Sequence, residues 1–474
     1  MRRVTAALVA VGVLGAAYTT LDVLDVAPGL LTQAPLPTVV VPSPLPSGIT
    51  ATLPAPDPVG MPVRPADAGA PLPSAAGLQA ALAAALADPA LADASAVVRD
   101  GLTGATLLDI KGATPRVPAS TTKLLSALAV ARAFPGGAVF TTSVRAGATA
   151  GRVVLVAGGD TLLAPGAGSP TDVAGRAGLA ELADRLVAAL RARPGGLAAG
   201  APLVIQVDGS YAAGPPTAPT WPASYRTSGI AGTVAPIGLA TQRAAIGHPG
   251  PLDPVGDTAR AFLDRLAERG VAATFDPAPA APGGVGEELA SVRSAPIAQL
   301  LALALQDSDN TLTESLARSG AVRAGRPGDF GAVGAFVRES VAAAGIDVSG
   351  VALHDASGLD PTDAVPARVL VDVLGLAVRG GDGSFATALG GLPVAGLTGT
   401  LDDRFAAPFG RPGVGWVRAK TGTLTEVNTL AGLVTTADGR LLVFAALQHG
   451  GAGTPTARAA LDRFAATLAT CGCR

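Results

Sequence analysis

The chain has 474 residues, enough for about three domains at roughly 150 residues each. Its 34 basic and 36 acidic residues leave a formal charge of −2, and only 15% of residues are charged, which excludes nucleic-acid or anionic-lipid binding driven by net charge. The only cysteines, Cys471 and Cys473, exclude a disulfide framework and a cysteine zinc site, so packing must hold the fold.

In chain order, Met1-Arg2-Arg3 and the apolar run 4–18 read as a secretory leader, assigned to residues 1–26. The run is short for a membrane span, which needs about 17 to 25 residues. A retained anchor is the alternative. Residues 27–74 form a proline-rich linker: 13 of the chain's 40 prolines fall between Pro28 and Pro73, a composition that favours an extended tether over a packed domain.

Structured chain starts near Ala75. Helices are expected over 75–88 and 121–134, with strands 95–99 and 105–110 between them around Asp100-Gly101. From Thr141 onward strands 152–156 and 203–207 alternate with helices 178–193 and 257–269. Further helices follow at 297–306, 311–318, 330–344 and 367–378. The chain returns to strands at 415–420, 428–435 and 440–448, then ends in a helix over 456–468. Strands from both ends enclosing helices predict an α+β fold. Its main domain would comprise residues 75–140 and 291–474, interrupted by an inserted α/β accessory region over 141–290.

Scarcity marks the chemistry. Lysine occurs only at Lys111, Lys123 and Lys420, and asparagine only at Asn310 and Asn428. Lysine can lose its proton when buried; arginine cannot. Lys123 follows Ser120 by three residues at a helix start, so nucleophile and base face one side. To accept a proton near neutrality the lysine must fall toward about 7 or 8, which burial beside another cation would achieve. Ser308-Asp309-Asn310 stands between two helices, where a turn can present Ser308 and Asn310 to a cleft; taken alone it is a helix cap. Lys420-Thr421-Gly422-Thr423 ends a strand before a hairpin. It offers a cation, two hydroxyls and a glycine that lets a ligand approach the backbone, suiting a substrate carboxylate.

Ser-x-x-Lys, Ser-x-Asn and Lys-Thr-Gly in this order form the signature set of penicillin-binding proteins and class A β-lactamases. With Pro118-Ala119-Ser120-Thr121-Thr122-Lys123, the stretches Gly158-Gly159-Asp160-Thr161-Leu162, Asp208-Gly209-Ser210-Tyr211, Asp355-Ala356-Ser357-Gly358-Leu359 and Leu392-Pro393-Val394-Ala395-Gly396 complete the pattern. The chain resembles the D-alanyl-D-alanine carboxypeptidase/endopeptidase family, the type-4, class C low-molecular-mass penicillin-binding proteins.

That resemblance implies a serine β-lactamase/penicillin-binding-protein-like domain: an antiparallel sheet flanked by helices. It implies a serine-type DD-peptidase acting outside the cytoplasm on D-alanyl-D-alanine or D-alanyl crosslink bonds of peptidoglycan stem peptides, with β-lactams as covalent inhibitors. Ser120 would be acylated and Lys123 would be the base. Ser308 would relay the proton, and Asn310 would hold the substrate amide and orient Lys123. Lys420, Thr421, Gly422 and Thr423 would form the substrate-binding strand, with the Ser120 and Thr423 N–H groups as oxyanion hole. No cofactor, metal or nucleic acid is expected, and membrane contact only through a retained N-terminal anchor.

Competing readings fare worse. His248, His354 and His449 are scattered, without Gly-x-Ser-x-Gly, His-x-His or His-Glu-x-x-His, which disfavours a histidine-dependent hydrolase or metallohydrolase. A class A β-lactamase needs a deacylating Glu-x-x-x-Asn, but Leu424 stands four residues before Asn428. A β-lactamase-fold esterase and a catalytically idle wall-binding module remain as alternatives. The Cys471-Gly472-Cys473 spacing is too close for an unstrained intrachain bridge, leaving free, strained or intermolecular states open.

Overall fold

The computed structural model describes residues 67–193, 202–283, 286–380 and 383–473. The expected leader and most of the proline-rich segment lie outside the described residues.

The described elements begin with α1 (Ala75–Leu86), the hairpin β1 (Ser95–Asp100) and β2 (Thr106–Ile110), the short β3 (Pro115–Arg116) and α2 (Thr122–Ala133). Next come β4 (Thr141–Ala146), β5 (Arg152–Val156), α3 (Leu179–Arg191), β6 (Leu203–Asp208), α4 (Ala223–Thr227), α5 (Pro254–Ala267), β7 (Ala273–Phe275) and β8 (Glu288–Arg293). The remainder is α6 (Ile297–Gln306), α7 (Asn310–Arg323), α8 (Phe330–Ala343), β9 (Val365–Pro366), α9 (Ala367–Val378), α10 (Gly383–Leu389), β10 (Val417–Leu424), β11 (Val427–Thr435), β12 (Leu441–His449) and α11 (Thr454–Thr470).

Two five-stranded sheets organise these elements. The first is antiparallel throughout, in the order β10-β11-β12-β1-β2, so strands from opposite ends of the chain meet at its centre. The second has the order β7-β6-β5-β4-β8 and is mixed, with β5, β6 and β7 parallel. The architecture is α+β, as expected. Strand periodicity divides the core: on β1, Val98 packs with α1 and α11 on one face, while Val97 packs with α2 and the other central helices. The second sheet has its own core, including Val153, Leu155 and Ile205, with Leu182 and Leu186 from α3 and Phe262 from α5.

Helix α2 is buried from Thr122 to Ala131, so it runs through the interior rather than along the surface. Helix α5 starts three residues before its expected boundary. Asp253 caps it, accepting from the Gly256 N–H at 2.8 Å, and Pro254 fits a first turn that needs no donor. Helix α7 runs five residues beyond its expected end at 318 because Ser319, Gly320 and Ala321 continue its buried surface. Cys471 and Cys473 are bonded to one another, so of the states left open by their spacing the structure shows an intrachain bridge.

Arg440 ties the segment before α1 to the sheet. Its guanidinium pairs with Asp100 and also donates to the Ala68 and Ala70 carbonyls at 3.0 and 3.2 Å. Both charged residues are buried. Removing the carboxylate would strand a buried cation. Asp100→Ala should therefore lower unfolding free energy by about 3–5 kcal/mol in urea titrations; a change under about 1 kcal/mol would show that the pair contributes little.

Candidate active site

The turn that carries Ser120 is conformationally demanding. Ala119 has φ 47°, in the left-handed region costly for a residue with a Cβ, immediately before Ser120. The Pro118 carbonyl anchors the turn, accepting from Thr121 Oγ1 at 2.6 Å and Thr429 Oγ1 at 2.9 Å. Ser120 is thus held between the start of α2 and strand β11.

One turn along α2, Lys123 is 1% exposed. Its Nζ donates to Ser120 Oγ at 2.9 Å, Asn310 Oδ1 at 2.5 Å and the Ser357 carbonyl at 2.8 Å. Three acceptors satisfy an ammonium. A neutral amine could keep the two hydrogens to Asn310 and Ser357 and turn its lone pair on the Ser120 hydroxyl. Burial pulls this lysine down to about 8, and the negative charges of Asp355, Glu314 and Asp309 limit the fall. The expected neighbouring cation is not what lowers it. The effect runs the other way, since Lys420 lies well below the ordinary lysine range because of burial and then the charge of Lys123.

The turn before α7 presents the second motif. Ser308 has φ 54°, while Asp309 caps the helix through Leu312 N–H at 2.9 Å and accepts from Arg243 Nε at 2.9 Å. Asp309 is thus engaged by the helix start and by Arg243 while it lines the same cleft as Ser120. Asn310 is fixed at both ends of its amide: Oδ1 takes the Lys123 hydrogen and Nδ2 donates to the Ile230 carbonyl at 2.6 Å.

Strand β10 is an edge of the antiparallel sheet. The third motif lies within this strand rather than at its end, because pairing with β11 continues to Leu424 opposite Val427. Lys420 is fully buried and donates to the Thr421 carbonyl at 2.9 Å, and Thr421 Oγ1 meets Thr400 Oγ1 at 2.7 Å. The sequence assigned Gly422 to ligand approach; its surroundings give a different reason. A Cβ there would lie 2.2 Å from Thr429 Oγ1 and 2.9 Å from the Pro118 carbonyl, so the glycine lets the strand close on the turn that carries Ser120.

Ser120, Ser308, Asn310, Thr421 and Thr423 line one open cleft of about 660 Å³, with Lys123, Lys420 and Gly422 buried. Lys123 is hydrogen-bonded directly to Ser120 and Asn310; among the described residues Ser308 and Lys420 make no hydrogen bond to Ser120. Sequence reasoning missed the Ser357 carbonyl, and it missed Tyr225, Ile230 and Arg243, which also line the cleft. The charged trio Arg243, Arg404 and Arg458 lines it as well, and Arg458 reaches Thr423 Oγ1 at 3.3 Å.

Residues 78–246 and 251–468 match the model of the D-Ala-D-Ala carboxypeptidase 3 (S13) family. The carboxypeptidase DacB of Mycolicibacterium smegmatis is 37% identical over 87% of this chain and 88% of its own. A carboxypeptidase of Mycobacterium tuberculosis is likewise 37% identical, over 90% of this chain and 91% of its own. The crystal structure of penicillin-binding protein 4 from Haemophilus influenzae superposes with a TM-score of 0.63 at 19% identity, covering 84% of this chain and 98% of that one. That protein has also been crystallised with a β-lactam; this second structure matches at TM-score 0.55 and 21% identity, over 79% and 95% of the two chains. This chain belongs to the S13 family and is a serine-type D-Ala-D-Ala peptidase.

Gly422→Ala tests the packing of β10 on the turn that carries Ser120. A displacement of about 1 Å there should reduce kcat/KM on D-alanyl-D-alanine peptides on the order of 100-fold with the fold retained by circular dichroism. Wild-type turnover would show that the added methyl is absorbed elsewhere.

Proposed function

We propose that this protein is an exported DD-peptidase of the cell wall that cleaves D-alanyl peptide bonds of peptidoglycan through an acyl-enzyme on Ser120. The observation that supports this best is the Lys123 ammonium nitrogen, 2.9 Å from Ser120 Oγ and held from behind by Asn310 and Ser357. Ser120 Oγ attacks the carbonyl carbon as its proton passes to neutral Lys123. The C–N bond breaks, and the proton returns through Ser308 to the leaving amine. Water then hydrolyses the ester by the same base.

Asn310 holds the substrate amide and orients Lys123. Lys420, Thr421 and Thr423 take the terminal carboxylate, and Gly422 keeps their strand close to the nucleophile. The Ser120 and Thr423 N–H groups stabilise the oxyanion, each worth about 2.7–4 kcal/mol by analogy with other such donors. The body is formed by residues 75–140 and 291–474, with 141–290 as an accessory insertion. Its segment around Ile230 and Arg243 returns to brace the second motif. β-Lactams acylate the same serine. The leader-like terminus supports export, and no helix among the described residues is long and apolar enough to cross a membrane.

Labelled penicillin should mark the wild type and not Ser120→Ala; equal labelling of both would remove Ser120 from the mechanism. Because the base works only when deprotonated, kcat/KM should rise with pH through a midpoint near 8, the value to which burial brings Lys123. A profile flat from pH 6 to 10 would contradict a lysine base. Crosslinked and uncrosslinked muropeptides, offered to the full chain, separate endopeptidase from carboxypeptidase turnover.

A further inference from the structure

The loop that carries Ser357 also holds a second set of polar groups that the hydrolytic mechanism does not use. His354, Asp360 and Asp363 sit on one loop, whose ends are clamped by paired hydrogen bonds between Ala352 and Ala364 at 2.8 and 2.9 Å. One ligating atom from each of the three residues lies within 4.8 Å of the others. The two carboxylates are buried, at 0% and 1% exposure, while the His354 side chain is half exposed.

The oxygens are unequally occupied. Asp363 Oδ1 accepts from the His354 N–H at 2.7 Å and stands 3.3 Å from its ring Nδ1, whereas the buried Oδ2 has no hydrogen-bond partner. A buried carboxylate oxygen left without a donor is costly, and a carboxylate interior to a protein is normally matched by a cation. Among the described residues, His354 is the only basic side chain within ion-pair distance of Asp363. Glu314 and Asp355, also buried on this side, add further acid. Thr362 Oγ1 bridges the remaining groups, 3.2 Å from His354 Nδ1 and donating to Asp360 Oδ1 at 2.5 Å.

We propose that His354, Asp360 and Asp363 form a structural site for a divalent transition ion of the Zn²⁺ class, with solvent completing the coordination at the exposed His354 side. One imidazole and two carboxylates suit such an ion. The clamped loop also carries Ser357, so the ion fastens the segment whose carbonyl holds Lys123. The site is distinct from the catalytic groups, and the ion takes no part in acyl transfer.

Calorimetric titration of the chelator-stripped full chain with ZnCl₂ should show saturable uptake of one ion per chain, with a midpoint of thermal unfolding that rises with ion concentration. Asp363→Asn, nearly isosteric, should weaken binding about tenfold or more, and His248→Gln, at a distant histidine, should leave it unchanged. If Asp363→Asn fails to fold, His354→Gln at the half-exposed position carries the same test and should lose binding equally. Absence of saturable uptake by the wild type, or undiminished uptake by a folded Asp363→Asn or His354→Gln, would overturn the proposal.

Discussion

A single buried amine organises this active site. Lysine normally ionises near 10.4 and resists burial, yet Lys123 lies inside the protein with acceptors on three sides. Desolvation lowers the cost of removing its proton, and the two acceptors other than Ser120 fix the direction of the remaining hydrogens. Each segment that meets the lysine must be placed to within a hydrogen bond. That requirement brings together a helix start, an interhelical turn and a loop more than 230 residues downstream of the lysine.

The loop is held by acids rather than by packing alone. Glu314 on α7 accepts the N–H groups of Ala356 and Ser357 at 3.0 and 2.8 Å, and burial followed by the charge of Asp355 pushes its carboxyl up to about 8. Asp355 takes the Gly358, Leu359 and Asp360 N–H groups and the Trp221 indole N–H. These carboxylates shape the backbone so that the Ser357 carbonyl faces Lys123. At the same time their charge keeps the lysine from falling further. Gly358 completes the contact, since a Cβ there would lie 2.0 Å from the Ala119 carbonyl.

Rare residue types made the site legible in the sequence. With three lysines and two asparagines in the chain, Lys123, Lys420 and Asn310 stood out, and their order identified the motifs. The α+β architecture followed from strands on both sides of the central helices. What stayed hidden acts through the backbone: the Ser357 and Ile230 carbonyls bear no side-chain signature, and their approach depends on tertiary placement. Gly422 was visible but its cause was not, because the constraint comes from Pro118 and Thr429, far away in sequence. The positive φ of Ala119 and Ser308 likewise lacks the glycine or asparagine that usually announces it.

The ionisation of Lys123 is the most direct measure of this account. With only three lysines, ¹⁵N labelling at the side-chain nitrogen makes each resonance assignable by substitution. The Lys123 resonance should titrate with a midpoint near 8 in the free enzyme. An ammonium at this position that persists beyond pH 10 would contradict a base prepared by burial.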